Sequence, residues 1–219
     1  VNIDEAATTG LGAYVMNTSS HADTLSANNL NALQAATLTL SGYLGSATVT
    51  LAADATDANT SVKKVAADVN AVKDSTGIEA TAITKGKISG VSLAGKISFD
   101  LVGNHTAGAA ATSYDVTATL AAKTDLDPLV DAINAHAANT GITAVLGSAA
   151  SEIILTHQTG ETIEISGLKV NNSTDGTMVL TALDKFGNDI QTKDTTLGRA
   201  KNSATAKITL GNQATTGVK

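Results

Sequence analysis

The side chains best suited to metal or proton chemistry in this sequence are four histidines, His21, His105, His136 and His157. None stands in an H-x-x-x-H or H-E-x-x-H register, so a zinc site has no support. An exposed histidine of no special role is the expectation for each, with His136 at a helix surface or boundary. Acidic residues pair as Asp54 with Asp57, Asp125 with Asp127 and Asp184 with Asp189. Carboxylate oxygens suit calcium, yet no pair has the alternating ligands and terminal Glu of an EF-hand loop. A Ser in a G-x-S-x-G elbow and a Walker A loop are both missing, and "TTGLGAYV" resembles a dinucleotide glycine loop only superficially, reading as a turn. With no Cys, disulfides, thiolate metal sites and a Cys nucleophile are excluded. The sequence therefore nominates no catalytic, cofactor-binding or metal-ligating residue, and a non-enzyme with no cofactor is expected.

The most specific pattern is one that the chain writes twice. "ADVNAVKDSTGIEA", residues 67–80, is echoed by "DAINAHAANTGITA", residues 131–144. One offset places Asn134 on Asn70, Thr140 on Thr76 and Gly141 on Gly77 without a gap. A duplicated active site would need a base, an acid or a metal ligand in both copies, and neither has one. Glycine after a helix supplies the positive φ of a reversal into a strand. An Asn side chain in the last helical turn can bond backbone groups of the connecting loop. Asn70, Thr76, Gly77, Asn134, Thr140 and Gly141 are thus candidate structural residues of a repeated corner.

The flanking elements give that corner its setting. Period-two alternation marks half-buried strands in "ATLTLSG", "ATVTLAA", "KISFDLVG" and "YDVTATLAA", at residues 36–42, 47–53, 96–103 and 114–122. "SEIILTHQTGETIEISGL", residues 151–168, reads as two strands joined in a β-hairpin at Thr159-Gly160. "GTMVLTALDKFGNDI" and "ATAKITLGN" add two or three more strands, with "LDKFGNDI" as a polar turn. Helical spacing appears at Val62, Val65, Ala66, Val69 and Val72, with Asn59, Thr60 or Ser61 as the N-cap. It returns at Leu129, Val130, Ile133 and Ala137, where Asp127 and Pro128 read as N-cap and first helical residue.

Aromatic residues make up 2% of the 219, and Pro occurs once. Few aromatics lower the expectation of a ligand pocket. A net charge of -6 with scattered Lys and Arg argues against nucleic-acid partners. No apolar run suffices for a membrane span, and the N-terminus lacks the features of a signal peptide, so the chain reads as soluble. Sequons at Asn17, Asn59, Asn104, Asn171 and Asn172 arise readily in so Asn-, Ser- and Thr-rich a chain.

The doubled Ile/Val-Asn followed by Thr-Gly-Ile resembles the flagellin IN motif. "KISFDLVG" is similar to the strand that precedes it and "SEIILTHQTGETIEISGL" to the strand pair that follows. The resemblance covers roughly residues 36 to 168. It implies an outer, variable domain of bacterial flagellin, extracellular on the filament, with a structural role in filament surface, motility, antigenicity and glycan display. Its partners would be other flagellin subunits, engaged through terminal regions absent from this chain, and a host receptor, antibody or glycan. The isolated piece would be a monomer. The fold class expected is α+β and β-rich, with two related modules, each a small sheet crossed by one short amphipathic helix, in an elongated arrangement. The first module spans 1–86, the second 87–170, and 171–219 is a β segment returning to the N-terminal region. The alternatives are a filament cap or hook-associated protein using the same module, and an adhesin or glycan-binding outer domain relying on Tyr14, Tyr43, Phe99, Tyr114 and Phe186. A metalloprotease reading lacks its His-Glu-x-x-His.

Overall fold

Period-two residues dominate the chain, and the computed structural model builds them into three antiparallel sheets with a few short helices. It describes residues 36–51, 62–104, 111–172, 176–189, 195–198 and 207–210. His21, His105, Tyr14, Asp54, Asp57, the proposed cap at 59–61 and residues 1–35 lie outside the described residues. In chain order the elements are β1 (Ala36–Ser41), β2 (Ser46–Leu51), α1 (Val62–Asn70), α2 (Lys73–Thr76), β3 (Thr84–Ser89), β4 (Gly95–Val102) and β5 (Tyr114–Leu120). Then come α3 (Asp127–Asn134), α4 (Ala137–Thr140), β6 (Ile142–Leu146), β7 (Ile153–His157), β8 (Ile163–Val170), β9 (Thr177–Leu183), β10 (Thr195–Gly198) and β11 (Lys207–Leu210). The protein is β-rich and α+β, as its alternation implies.

Two of the sheets face one another. One runs β11-β8-β4-β5 and the other β10-β9-β3-β7-β6. Alternate side chains of each point inward, so Ile97, Phe99, Leu101, Val116, Ile163 and Ile165 meet Ile88, Ile142, Ile153, Leu155 and Leu180 in one apolar cluster. Helix α3 packs on β5 and β6, the edge strands of the two layers, and puts Leu129 and Ile133, both fully buried, into the gap between them. Its amphipathic stripe thus closes one open side of the sandwich. The third sheet is the β1-β2 hairpin, on which α1 packs. The buried residues of its apolar clusters are Val49, Val62 and Val65, and Ala66, Val69 and Ala80, with Leu38, Leu40 and Ile78 partly buried against them.

Two expectations need correction, and one strand carries no mark in the sequence. The alternating runs on either side of Thr159-Gly160 are not a hairpin: β7 lies in the five-stranded sheet and β8 in the four-stranded one. Both strands are apolar toward the same core, and they reach it from opposite layers, so the chain crosses between sheets at residues 158–162. Period-two patterning records which face is buried but not which sheet the strand joins. The N-cap position of α3 is Leu126, not Asp127, and no side chain caps it. Leu126 is 1% exposed, and its insertion into the core sets where the helix begins. Finally, β3 is central in its sheet, paired on one side with β7 and on the other with β9, although "TKGKIS" carries no apolar alternation. Its lysines reach outward to polar partners: Lys85 donates to Lys185 O at 3.1 Å, and Lys87 is paired with Asp189 at 2.9 Å and Glu152 at 3.6 Å. Strand β3 also spans the expected boundary near residue 86. Of the segment 171–219, β9 pairs with β3, β10 with β9 and β11 with β8.

The polar turn after β9 is organised by one carboxylate. Asp184 accepts from Phe186 N and Asn188 N, each at 2.8 Å, and from Asn188 Nδ2 at 2.8 Å. Its pKa is lowered, chiefly by the side-chain hydrogen bond from Asn188. A depressed folded pKa means stabilisation that is present above the ordinary carboxylate value and lost as pH falls through the folded one. Amide protection at Phe186 and Asn188, the exchange rate relative to the intrinsic rate at the same pH, should therefore fall on acidification to that point, while protection within β9 stays unchanged.

The two hairpins also differ in how well they are covered. Phe99, four residues before Gly103, is 1% exposed, whereas Leu38, four residues before Gly42, is only half-buried. Phe99→Ala should lower unfolding free energy by about 3–5 kcal/mol. Leu38→Ala should cost about 1 kcal/mol, because part of its surface already meets water. Denaturant titration of both variants tests the difference.

Candidate functional site

The repeated corner is the most organised polar arrangement in the protein. Asn134 is the last residue of α3 and Asn70 the last of α1. The Asn134 amide lies against the backbone of Ala144 in β6: Nδ2 donates to Ala144 O at 2.9 Å, and Oδ1 accepts from Ala144 N at 2.8 Å. Asn70 does the same to Ala80, at 2.9 and 2.8 Å. A primary amide thus replaces a neighbouring strand residue, offering one donor and one acceptor in the geometry a backbone would. Aspartate lacks the donor, and glutamine is longer by one methylene.

Thr76 and Thr140, each fully buried, hold the opposite side of the turn. Thr140 Oγ1 donates to His136 O at 3.0 Å and accepts from Ile142 N at 3.2 Å. Thr76 repeats both bonds with Val72 O and Ile78 N at the same two distances. The single turns α2 and α4 that the threonines close were not legible in the sequence. Each ends on a glycine in the left-handed region, Gly77 at φ 73° and Gly141 at φ 71°. The hairpin packs back onto this turn in both places: a Cβ on Gly42 would collide with Thr76 O, and one on Gly103 with Thr140 O.

The surroundings differ. Over Gly141 lies the ring of His157, which is 3% exposed, so the expectation of an exposed histidine fails there. Its Nδ1 lies 3.3 Å from Thr159 Oγ1. His136 precedes α4, half-buried, with its ring 5.6 Å from that of Tyr114. Over Gly77 lies Tyr43, which is 85% exposed. After the turn, residues 142–146 join a ladder as β6, whereas 77–83 make no described strand. Sequence reading missed a third amide of the same kind. Asn171 Oδ1 accepts from Lys96 N at 2.9 Å and its Nδ2 donates to Ala94 O at 3.3 Å, from a residue at φ 52°. The sequence showed it only as part of a sequon.

This arrangement fixes backbone and leaves no reactive group pointing at an open space. Among the described residues, no group of three His, Asp or Glu side chains is placed to hold a metal ion. No described helix is long and apolar enough to cross a membrane. Of the five aromatic residues considered as sugar platforms, Phe99 is in the core, Tyr114 is beside His136, and Tyr43 and Phe186 are exposed.

A family model described as the flagellin hook IN motif matches residues 98–159. The match takes in β4 from Ser98 onward, β5 and the whole second corner. Over these residues the chain is similar to flagellin. The first corner lies outside the matched residues. No curated protein matches the chain. Flagellins are structural proteins, and the matched motif suggests a flagellin-type filament component.

The corner's parts are separable by substitution. Asn134→Ala strands both polar groups of Ala144, itself 2% exposed, and should cost about 2–3 kcal/mol. Gly77→Ala meets the left-handed penalty of about 1–2 kcal/mol, since exposed Tyr43 can swing aside. Gly141→Ala should cost clearly more, because the ring it strikes, His157, is buried. Equal losses at the two glycines, measured by denaturant unfolding, would refute that account.

Proposed function

We propose that this protein is the outward-facing, variable region of a flagellin, a structural part of the filament that sets its surface character, its antigenicity and its behaviour in motility. The observation that carries the reading is the corner at Asn134, Thr140 and Gly141, which falls inside the matched motif and is built wholly from backbone-fixing bonds. Two related hairpin, helix and corner units, one centred on Asn70 and one on Asn134, are the proposed building blocks. Support for their relatedness comes from the near-identical bond lengths in the two corners. On this reading the six corner residues are structural, and recognition by antibody or host receptor falls to exposed turns such as those at Tyr43 and Phe186. Subunit contacts that polymerise the filament come from other parts of the flagellin.

Antibodies raised against this protein should decorate intact filaments of the source bacterium along their whole length in immunogold microscopy. Labelling confined to the filament tip or to the hook junction would assign the chain to a cap or hook-associated protein instead. Absence of labelling on flagella would remove the reading.

A further inference from the structure

The unit formed by residues 36–51 and 62–82 holds, among the described residues, only a small apolar core. Its buried core residues are Val49, Val62, Val65, Ala66, Val69 and Ala80, and the larger Leu38, Leu40 and Ile78 that pack against them are only partly buried, whereas the sandwich buries Phe99, Leu101, Leu129, Ile133 and many more. Small clusters of this kind rarely offset the conformational entropy of ordering the chain around them. What completes the unit comes from the loop that crosses between β7 and β8. Gly160 O accepts from Lys63 N at 3.2 Å, satisfying one of the first N–H groups of α1, which have no partner within the helix. Gly160 itself is buried, so close to Val62 and Ala82 that a Cβ there would strike the Ala82 side chain. Beside it Glu161, whose side chain is 8% exposed, takes a salt bridge of 2.8 Å from Lys63 Nζ. Backbone cap, apolar seat and ion pair all converge on the first two residues of α1.

We propose that the Gly160–Glu161 loop is a latch on which the folding of residues 36–51 and 62–82 is conditional. With the latch seated, the unit is ordered as an extension of the sandwich. When it lifts, β1, β2, α1 and α2 open together while β4, β5 and β8 stay folded. The sandwich supplies most of its own burial and does not need the unit in return. Units of this kind open sub-globally, at a free energy below that of the whole protein. The proposal concerns the stability of this chain and does not depend on its place in a filament.

Native-state hydrogen exchange of the full chain, read residue by residue, tests it. Glu161→Gln keeps the shape and removes the charge, and should speed exchange across β1, β2 and α1 by a common factor of about ten. Gly160→Ala, at φ 76° and against Ala82, should speed the same amides further. Amides of β4, β5 and β8 should be unchanged in both variants, which also shows that the sandwich still folds. Lys63→Met should match Glu161→Gln, and the double variant should add little to either. Acceleration everywhere, acceleration limited to the neighbours of Lys63, or an additive double variant would each overturn the latch.

Discussion

A single amide, that of Asn134, holds the architecture of the larger body together. Helix α3 must lie across the gap between two sheets and then hand the chain to β6, an edge strand of the second sheet. By bonding both polar groups of Ala144, Asn134 fixes the end of the helix to the strand that follows the turn. The core residues Leu129 and Ile133 on one side and Ile142 on the other are set in register by that bond. Thr140 and Gly141 then have one task each, the threonine tightening the turn and the glycine reversing it. Without the amide, packing alone would have to choose among helix orientations that bury similar area.

The corner is made twice with the same bonds, yet its two settings differ in energy. Around Asn134 the sheets supply large aliphatic side chains and a buried histidine. Around Asn70 they supply buried valine and alanine, partly buried Leu38, Leu40 and Ile78, and an exposed tyrosine. Identical hydrogen bonds therefore do not imply equal stability, because the net worth of such a bond is small and the burial around it decides the total. The local geometry is the same where the packing differs.

Much of this was legible in the residues, and the gaps have physical causes. Alternation in "KISFDLVG" and "YDVTATLAA" located β4 and β5 to within a residue or two, because one face of each is buried and the other is wet. The positive φ at Gly77 and Gly141 followed from their place after a helix. Strand β3 was invisible because its lysines find ion pairs and a carbonyl on the outer face while Thr84, Gly86 and Ile88 face inward, so side-chain hydrophobicity does not report it. The crossing at Gly160 was misread as a hairpin since two strands that face one core from opposite layers share the same alternation. Buried His157 was hidden for a related reason: its burial depends on Gly141, sixteen residues earlier, having no side chain.

Strand β3 also sets the order in which the sandwich can form. Both of its partners come much later in the chain, β7 beginning at Ile153 and β9 ending at Leu183. Pairings of such long range are slow to find, and here they cannot be found at all until most of the chain is present. A molecule delivered end-first from its N-terminus, whether by a ribosome or through a narrow channel, would therefore travel with β3 unpaired until His157 had emerged, and with its five-stranded layer incomplete until β9 and β10 had followed.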